Sequence, residues 1–461
     1  MQRKIALKQA MMAGLAAASL AMAVFPPAML TSVQAQILAI VLLTLGLWGS
    51  GIVPHYFAGL FLFAVVLVFG LAPADLVFAG FGSTAVWLIV SGFVIGAAIS
   101  ISGVGVLLAR VLAPLLGDSY ARLIFGLTGV AMALGFIMPS SVGRAVVLVP
   151  IGMALAQRAG FAPGSNGRIG IAVALSIACN MPSFAILPAN IPNMVLSGAA
   201  ETIYGIHFSY TAYLWLHYPV LGLLKSGLMA LLVIRLFPAV ASVGAVEMQP
   251  IEAGKSGAQV RVALVLLVTL AMWLTDSLHG VNAAWVGLAA ATVLLAPGVG
   301  VVSAAAFKAS VDFGLLLFVV GALAVGALVN ASGLGALVGQ ELQAVLPLHP
   351  GDTAINFASL LLISMLTGLL TTVSSVPSVL TPLAQDLAGA SGFSLPAVLM
   401  TQVVGFSTVL LPYQVAPLVV AMGLSGEKLG HLTRVTLLLA GLTVVVLLPL
   451  DYLWWRLLGW I

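Results

Sequence analysis

The run Pro139-Ser140-Ser141-Val142-Gly143-Arg144 sets an arginine between two apolar stretches with no acidic neighbour in sequence. A charge in such a place is costly unless it is solvated or paired, which makes Arg144 a functional candidate. A guanidinium can grip a carboxylate through two parallel hydrogen bonds, so the chemistry on offer is anion binding. The alternative is a shallow turn in which Arg144 is one more basic residue at the membrane surface. A second Ser-Ser-Val triplet, Ser374-Ser375-Val376, lies far downstream. A serine pair in a membrane helix is often a packing residue or bonds back to its own helix. Recurrence in both halves makes Ser140, Ser141, Ser374 and Ser375 binding candidates. Two proline-bracketed polar breaks also recur. One is Pro188-Ala189-Asn190-Ile191-Pro192, with Asn193 beside it; the other is Pro412-Tyr413-Gln414-Val415-Ala416-Pro417. Asn190, Asn193 and Gln414 either cap these breaks locally or face a substrate. His55, His207, His217, His279, His349 and His431 fall mostly at loop or span edges and show no metal spacing. Cys179 is the single cysteine, which excludes an intramolecular disulfide and reads as a small buried residue. With no nucleophile–base pair or metal cluster in sight, the chain does not read as an enzyme, and no cofactor is expected.

These residues need elements to hold them, and the composition says what solvent those elements meet. The 461 residues are 62% apolar and 6% charged. An average soluble domain is about 45–50% apolar and about 25% charged. This excludes a soluble enzyme, a nucleic-acid binder and a disordered chain, and leaves an all-α polytopic membrane protein. The 49 glycines and 23 prolines suit close helix packing and broken helices. A spanning helix needs about 20 mostly apolar residues. Such runs predict spans near 9–25, 36–48, 56–71 and 84–111, a fifth that starts near Ile169 and is interrupted around Pro182–Pro192, and further spans near 212–236, 262–274, 283–295, 311–329, 395–422 and 432–453. The tally is about eleven transmembrane helices. Two re-entrant hairpins, within 120–158 and 353–389, are each too short to cross twice. Trp454, Trp455 and Trp460 form an interfacial belt after the last span.

The order repeats. Gly96, Gly103 and Gly105 match Gly326, Gly333 and Gly335 at a constant offset; each Ser-Ser-Val triplet precedes a proline, Pro150 or Pro382; and the breaks lead to Gly198 and Gly423. An N-terminal helix (1–35) is thus followed by a first repeat (36–236), a polar cytoplasmic linker (237–258) and a second repeat (259–461). Five spans per half bring the second half in from the opposite side, an inverted-topology repeat of the kind found in secondary transporters. With the N-terminus in the cytoplasm, all of the sixteen Lys and Arg except Arg144, Lys225 and Arg456 fall inside, as the positive-inside rule asks. The C-terminus is then external. Arg3, Lys4, Lys8 and Val33-Gln34-Ala35 also fit a cleaved signal peptide; a retained first helix keeps the charge pattern and is the reading taken.

The Pro139–Arg144 run, ending at Pro150, resembles the Pro-Ser-Asn-Thr-Ala-Arg signature of the divalent-anion:sodium symporter family, in its citrate/dicarboxylate exchanger and plastid 2-oxoglutarate/malate translocator branch. The run Phe81-Gly82-Ser83-Thr84-Ala85-Val86-Trp87-Leu88-Ile89-Val90 and the breaks at Ala189-Asn190 and Pro412-Tyr413 are similar to that family too. The likeness spans about Phe25 to Trp455, and its weight lies in the order of short motifs. It implies hairpin tips that cradle substrate carboxylates and coupling ions, and a core that moves like an elevator against a dimeric scaffold. Carried across, Ser140, Ser141 and Arg144 belong to the first tip and Thr372, Ser374 and Ser375 to the second, with Tyr413 in the second break. A sodium site would lie near Ser140, Ser141, Thr372 and Ser374. The family's Ser-Asn-Thr reads Ser-Ser-Val in both tips here, and Pro377 follows the second. Loss of that Asn leaves the coupling ion open between sodium and proton, or none if the protein exchanges anions.

The expected function is a secondary active transporter of a small anion, a di- or tricarboxylate, working by symport or exchange. It would sit in the inner (plasma) membrane as a homodimer, with the anion and the lipid bilayer as its partners and no nucleic acid. The alternatives are the membrane subunit of a binding-protein-dependent dicarboxylate transporter, or a carrier of an inorganic anion such as sulfate.

Overall fold

The computed structural model describes residues 2–105, 119–240 and 256–461. The end of the fourth expected span and most of the linker 237–258 lie outside them. The described residues form helices and turns and no strand. The principal helices are α1 (Gln2–Val24), α2 (Ser32–Ser50), α3 (His55–Val68), α4 (Thr84–Ser102), α5 (Tyr120–Ile137), α6 (Ser141–Arg158), α7 (Asn166–Ala178) and α8 (Ile191–Tyr204). Next comes the run Tyr210–Leu236 (α9). The second half holds α10 (Ser256–Leu274), α11 (Ala283–Leu295), α12 (Phe313–Ala331), α13 (Leu334–Val345), α14 (Thr353–Leu370), α15 (Ala384–Ser391), α16 (Leu395–Phe406) and α17 (Ala416–Ser425). The run Leu429–Leu457 (α18) ends the chain.

Among the described residues, nine helices are long and apolar enough to cross a membrane, or ten if Val373–Ser391 and Leu395–Phe406, bent by 116°, make one span. The number differs from the expected eleven for a geometric reason. The third and eighth expected spans, α3 and α11, hold only 14 and 13 residues, about 20 Å of helix against a hydrocarbon core of about 30 Å. The apolar part of α1 is also short, Ala10–Val24. Conversely, the hairpin arms α5, α6 and α14 are each 18 residues long, about 27 Å. Serine and proline interrupt the apolar run there but not the helix, which carries Pro150 in its interior.

The two halves share local devices. The Trp48 indole donates to the carbonyl of His55 at 2.9 Å, and Trp273 donates to that of Ala283 at 2.9 Å; each ties a helix to the start of the next. Left-handed glycines stand at matching places: Gly51 and Gly280, Gly70 and Gly298, Gly103 and Gly333. Packing is reciprocal as well, α3 against α12 and α4 against α11. Both contacts are close because a glycine sits in them. A Cβ on Gly59 would lie 2.8 Å from the Leu317 carbonyl oxygen, and one on Gly287 would lie 3.3 Å from the Ser91 Cβ.

The same exchange positions the functional region. The second arm of the first hairpin, α6, packs on α17, which follows the second break, while Val376–Leu380 of the second hairpin packs on α8, which follows the first break. Each hairpin therefore leans on the other half's broken helix, and tips and breaks converge.

Candidate functional site

Each break arises where a helix ends inside the protein. Helix α7 stops at Cys179, two short 3-10 turns (Met181–Ala185 and Leu187–Ala189) follow, and α8 resumes at Ile191. Helix α16 stops at Ser407, and α17 resumes at Ala416 after the turn Pro412–Gln414. Prolines at the restarts, Pro192 and Pro417, suit a first helical turn, whose N–H groups have no partner within the helix.

Two adjoining cavities lie where tips and breaks meet. The larger, about 780 Å³, is walled by Thr371, Thr372, Val373 and Ser374 of the second tip, by Asn190–Pro192 and Tyr413–Pro417 of the breaks, and by Trp48, His55 and Asp312. The smaller, about 170 Å³, is walled by Pro139, Ser140, Ser141 and Val142 of the first tip, with Gly92, Phe93 and Met194. Asn190, Ile191, Asp312, Leu315 and Pro417 line both.

Seven of the ten expected binding residues thus face a cavity: Ser140, Ser141, Asn190, Thr372, Ser374, Tyr413 and Gln414. Several are also engaged in the protein. Ser140 Oγ accepts from the Gly143 N–H at 3.0 Å and caps α6. Asn190 Nδ2 donates to Ser183 Oγ at 3.2 Å. Gln414 Oε1 accepts from the N–H groups of Leu410 and Leu411 at 2.9 and 2.8 Å, holding the second break in shape. The Tyr413 hydroxyl donates to the Leu369 carbonyl at 2.6 Å, tying that break to the second hairpin.

The other three are placed elsewhere. Arg144 is fully buried and lines neither cavity. Its guanidinium donates to the carbonyls of Cys179 (2.9 Å), Ala189 (3.5 Å) and Met138, and to Ser141 Oγ at 2.9 Å. Arg144, expected to grip the anion, here spends its donors on the tip and the first break. Asn193 is likewise fully buried, and its Nδ2 donates to the carbonyls of Ser183, Phe184 and Ile186 at 3.0–3.1 Å. Ser375 is buried beneath the second tip, its hydroxyl 3.0 Å from that of Thr372. The four hydroxyls expected around sodium fall into two groups, Ser140 and Ser141 on the smaller cavity and Thr372 and Ser374 on the larger. Among the described residues no three His, Cys, Asp or Glu side chains group as a metal site.

Asp312, Trp48 and His55 line the larger cavity without having been singled out for it. Asp312 had a readable signal: it stands directly before the apolar run of α12, the N-cap position, and its Oδ1 accepts from the Leu315 N–H at 2.9 Å. His217, expected near an edge, is buried inside α9, with Nε2 3.3 Å from the Met400 sulfur.

Electrostatically, no Lys or Arg lines either cavity among the described residues. Three helices of ten or more residues begin at their walls: α6 at the first tip, α8 and α17 at the breaks. Helix N-termini carry unpaired N–H groups and the positive end of the macrodipole. Such an arrangement can hold an anion without a basic side chain.

Solved structures with a similar fold exist. The Alcanivorax borkumensis YdaH transporter superposes with a TM-score of 0.60 at 19% identity, over 84% of this chain and 88% of that one. Neisseria gonorrhoeae MtrF, described among antimetabolite efflux pumps, gives 0.54 at 14% identity, over 82% and 81%. Both likenesses concern the fold. A protein of Cupriavidus necator described as a membrane protein is 24% identical over 500 residues, which cover 99% of this chain and 94% of that relative. The sodium:sulfate symporter transmembrane region matches residues 7–461, in keeping with the resemblance carried by the tip and break motifs, and the chain belongs to that family of membrane transporters.

Proposed function

We propose that the protein is a secondary active transporter that carries a small anion, of the di- or tricarboxylate class, through the paired cavities at the hairpin tips. One observation carries this reading. Tips and breaks from both halves wall adjoining cavities whose edges are the N-termini of α6, α8 and α17. Irregular backbone at membrane depth is tolerated only where it is buried in protein or lines a wet cavity. Here it does both, and the positive ends of three helix dipoles favour an anion. The reciprocal packing of each hairpin on the other half's broken helix supports two inverted repeats that move as one elevator-type unit. The transporter sits in the inner membrane as a homodimer, N-terminus inside and C-terminus outside.

A second reading, an inorganic oxyanion such as sulfate, is favoured by the hydroxyls of Ser140, Ser141, Thr371, Thr372 and Ser374 in a lining that holds the Asp312 carboxylate but no guanidinium. Uptake of labelled succinate, citrate and sulfate into proteoliposomes separates the two. Preference for succinate or citrate supports the carboxylate reading, preference for sulfate the oxyanion reading, and uptake of none refutes both. The serines that replace the family's Asn at the tips predict little dependence of uptake on sodium. A steep sodium dependence, with lithium a poor substitute, would overturn that.

A further inference from the structure

Two ionisable side chains lie deep in the helices away from the cavities. Lys225, on α9, is 3% exposed and Asp451, on α18, is 0% exposed. Each follows a stretch of π-helix, Tyr218–Leu224 in α9 and Thr443–Leu447 in α18, and the two π stretches pack against each other. A π stretch inside a helix is frequently a functional feature. The Lys225 ammonium donates at 2.8 Å to the carbonyl of Ser407, the residue that ends α16 at the second break. Asp451 has no such partner: neither carboxylate oxygen makes a hydrogen bond among the described residues. The Tyr218–Leu224 stretch also packs against Leu448–Leu457, the segment that carries Asp451, and no ion pair within 4 Å joins Lys225 to Asp451 among the described residues.

Among the described residues, none of the titratable groups on the elements packed around them bonds to Asp451; on α9, Tyr213 donates to the Phe184 carbonyl at 2.9 Å and Tyr210 stacks on Trp273, while the hydroxyls of Tyr210 and Tyr120 and His217 Nδ1 are buried without a hydrogen-bond partner. His217 on α9 faces the Met400 sulfur and the ring of Trp455. Tyr218 lies against Phe136 of α5. Tyr120, also on α5, lies against Phe161. At the ends of α7, Cys179 faces Arg144, and Arg168 pairs with Glu427 at 3.3 Å. On α18, His431 lies against Phe237 and Arg456 over Tyr452.

An ionised carboxylate without hydrogen bonds in an apolar interior is strongly disfavoured. The arrangement seen, with Lys225 held on Ser407 and Asp451 unpaired, fits a neutral carboxyl. We propose that Asp451 binds and releases a proton, with Lys225 as its switchable counter-ion, and that this site couples proton movement to transport. The proposal rests on reading the chain as a secondary transporter. Protonation converts the Asp451 carboxylate to a carboxylic acid and leaves the ammonium on Ser407. Release of that proton to water restores the carboxylate, which draws the ammonium off the Ser407 carbonyl. That uncaps the end of α16, eight residues before Val415 in the cavity wall. Protonation and the shape of the second break are thereby linked.

The test uses the full chain in lipid vesicles. Infrared difference spectra between acid and alkaline pH are expected to show a titrating carboxylic-acid C=O band. That band should be lost in Asp451→Asn and displaced along the pH axis in Lys225→Met. Asp451→Glu should keep a band at an altered frequency, and it decides the matter if the Asn variant fails to fold. With whichever of succinate or sulfate the wild type takes up, Asp451→Asn should lose accumulation driven by a proton gradient but retain one-for-one exchange of label. An unaltered band in the Asp451 variants, or undiminished proton-driven accumulation in Asp451→Asn, overturns the proposal, as does wild-type accumulation driven by sodium alone. Uptake of neither anion would count against the transporter reading, while the infrared result would still decide the proton site.

Discussion

Replacing Arg144 by alanine should break the protein's structure before it touches its chemistry. The guanidinium joins three segments: the first tip through Met138 and Ser141, the end of α7 through Cys179, and the first break through Ala189. Two of these bonds, to Cys179 and Ser141, are at 2.9 Å. A hydrogen bond from a charged donor contributes about 1.5–3 kcal/mol, so the pair alone amounts to roughly 3–6 kcal/mol. Alanine also leaves buried carbonyls without a partner, and they cannot turn to water because they end helices. Arg144→Ala should therefore lower the melting temperature in detergent sharply and reduce the folded yield. Arg144→Lys should recover part of the loss, since one ammonium cannot span the same acceptors as a planar fork. The assay is thermal unfolding of purified variants, followed by anion binding on whatever remains folded. A variant with wild-type melting behaviour and abolished binding would refute this and put Arg144 back on the anion.

Other expectations follow from single contacts. Gly59→Val should drive α3 from α12, because the new Cβ would meet the Leu317 carbonyl oxygen at 2.8 Å. Overpacking of this kind costs about 1–3 kcal/mol, and wild-type thermal stability would contradict it. Asp312→Asn removes the carboxylate that lines both cavities. In a wet cavity, repulsion between unit charges roughly 8 Å apart is about 0.5–1 kcal/mol, so anion affinity should rise about 2–5-fold. Weaker anion binding in this variant would mean that Asp312 holds a cation. Reporter fusions at Gly244 and at Asp276 should mark opposite sides of the membrane, inside and outside; the same side for both would undo the inverted repeat.

What the chain discloses before folding depends on how local the cause is. Membrane residence follows from composition. The breaks were legible because proline punctuates apolar runs there, and the recurrence of these motifs is what suggests a repeat. The direction of a side chain was not legible. Arg144 lies on the first turn of α6, where side chains lean back toward the helix N-terminus. What it meets there depends on where the end of α7 arrives from 35 residues away. Asp312 was passed over for a similar reason: as a charge at a helix start it reads as a cap, and only the fold turns that cap toward the cavities. Hairpin and span lengths were misjudged because apolarity was counted where the backbone continues as helix through Ser141–Val149.

The two halves meet one shared problem with different residues. A helix that ends inside the membrane presents carbonyls with no partner, at the negative end of its dipole. At the end of α7 the Cys179 carbonyl is met by Arg144, from the neighbouring hairpin. At the end of α16 the Ser407 carbonyl is met by Lys225, from α9 of the other half. The position in the second tip that answers to Arg144 is Ser378, whose buried hydroxyl has no partner among the described residues. The second hairpin therefore lacks a cation of its own, and the cap comes from across the repeat. This makes a directional prediction. Lys225→Met should raise amide hydrogen exchange in the break after Ser407 and cost about 1.5–3 kcal/mol for the lost charged hydrogen bond. Lys225→Arg, which keeps a donor and a charge, should protect the break better than Met does. Equal exchange in the break for wild type and Lys225→Met would show that the Ser407 carbonyl is satisfied without the lysine, and the parallel with Arg144 would fail.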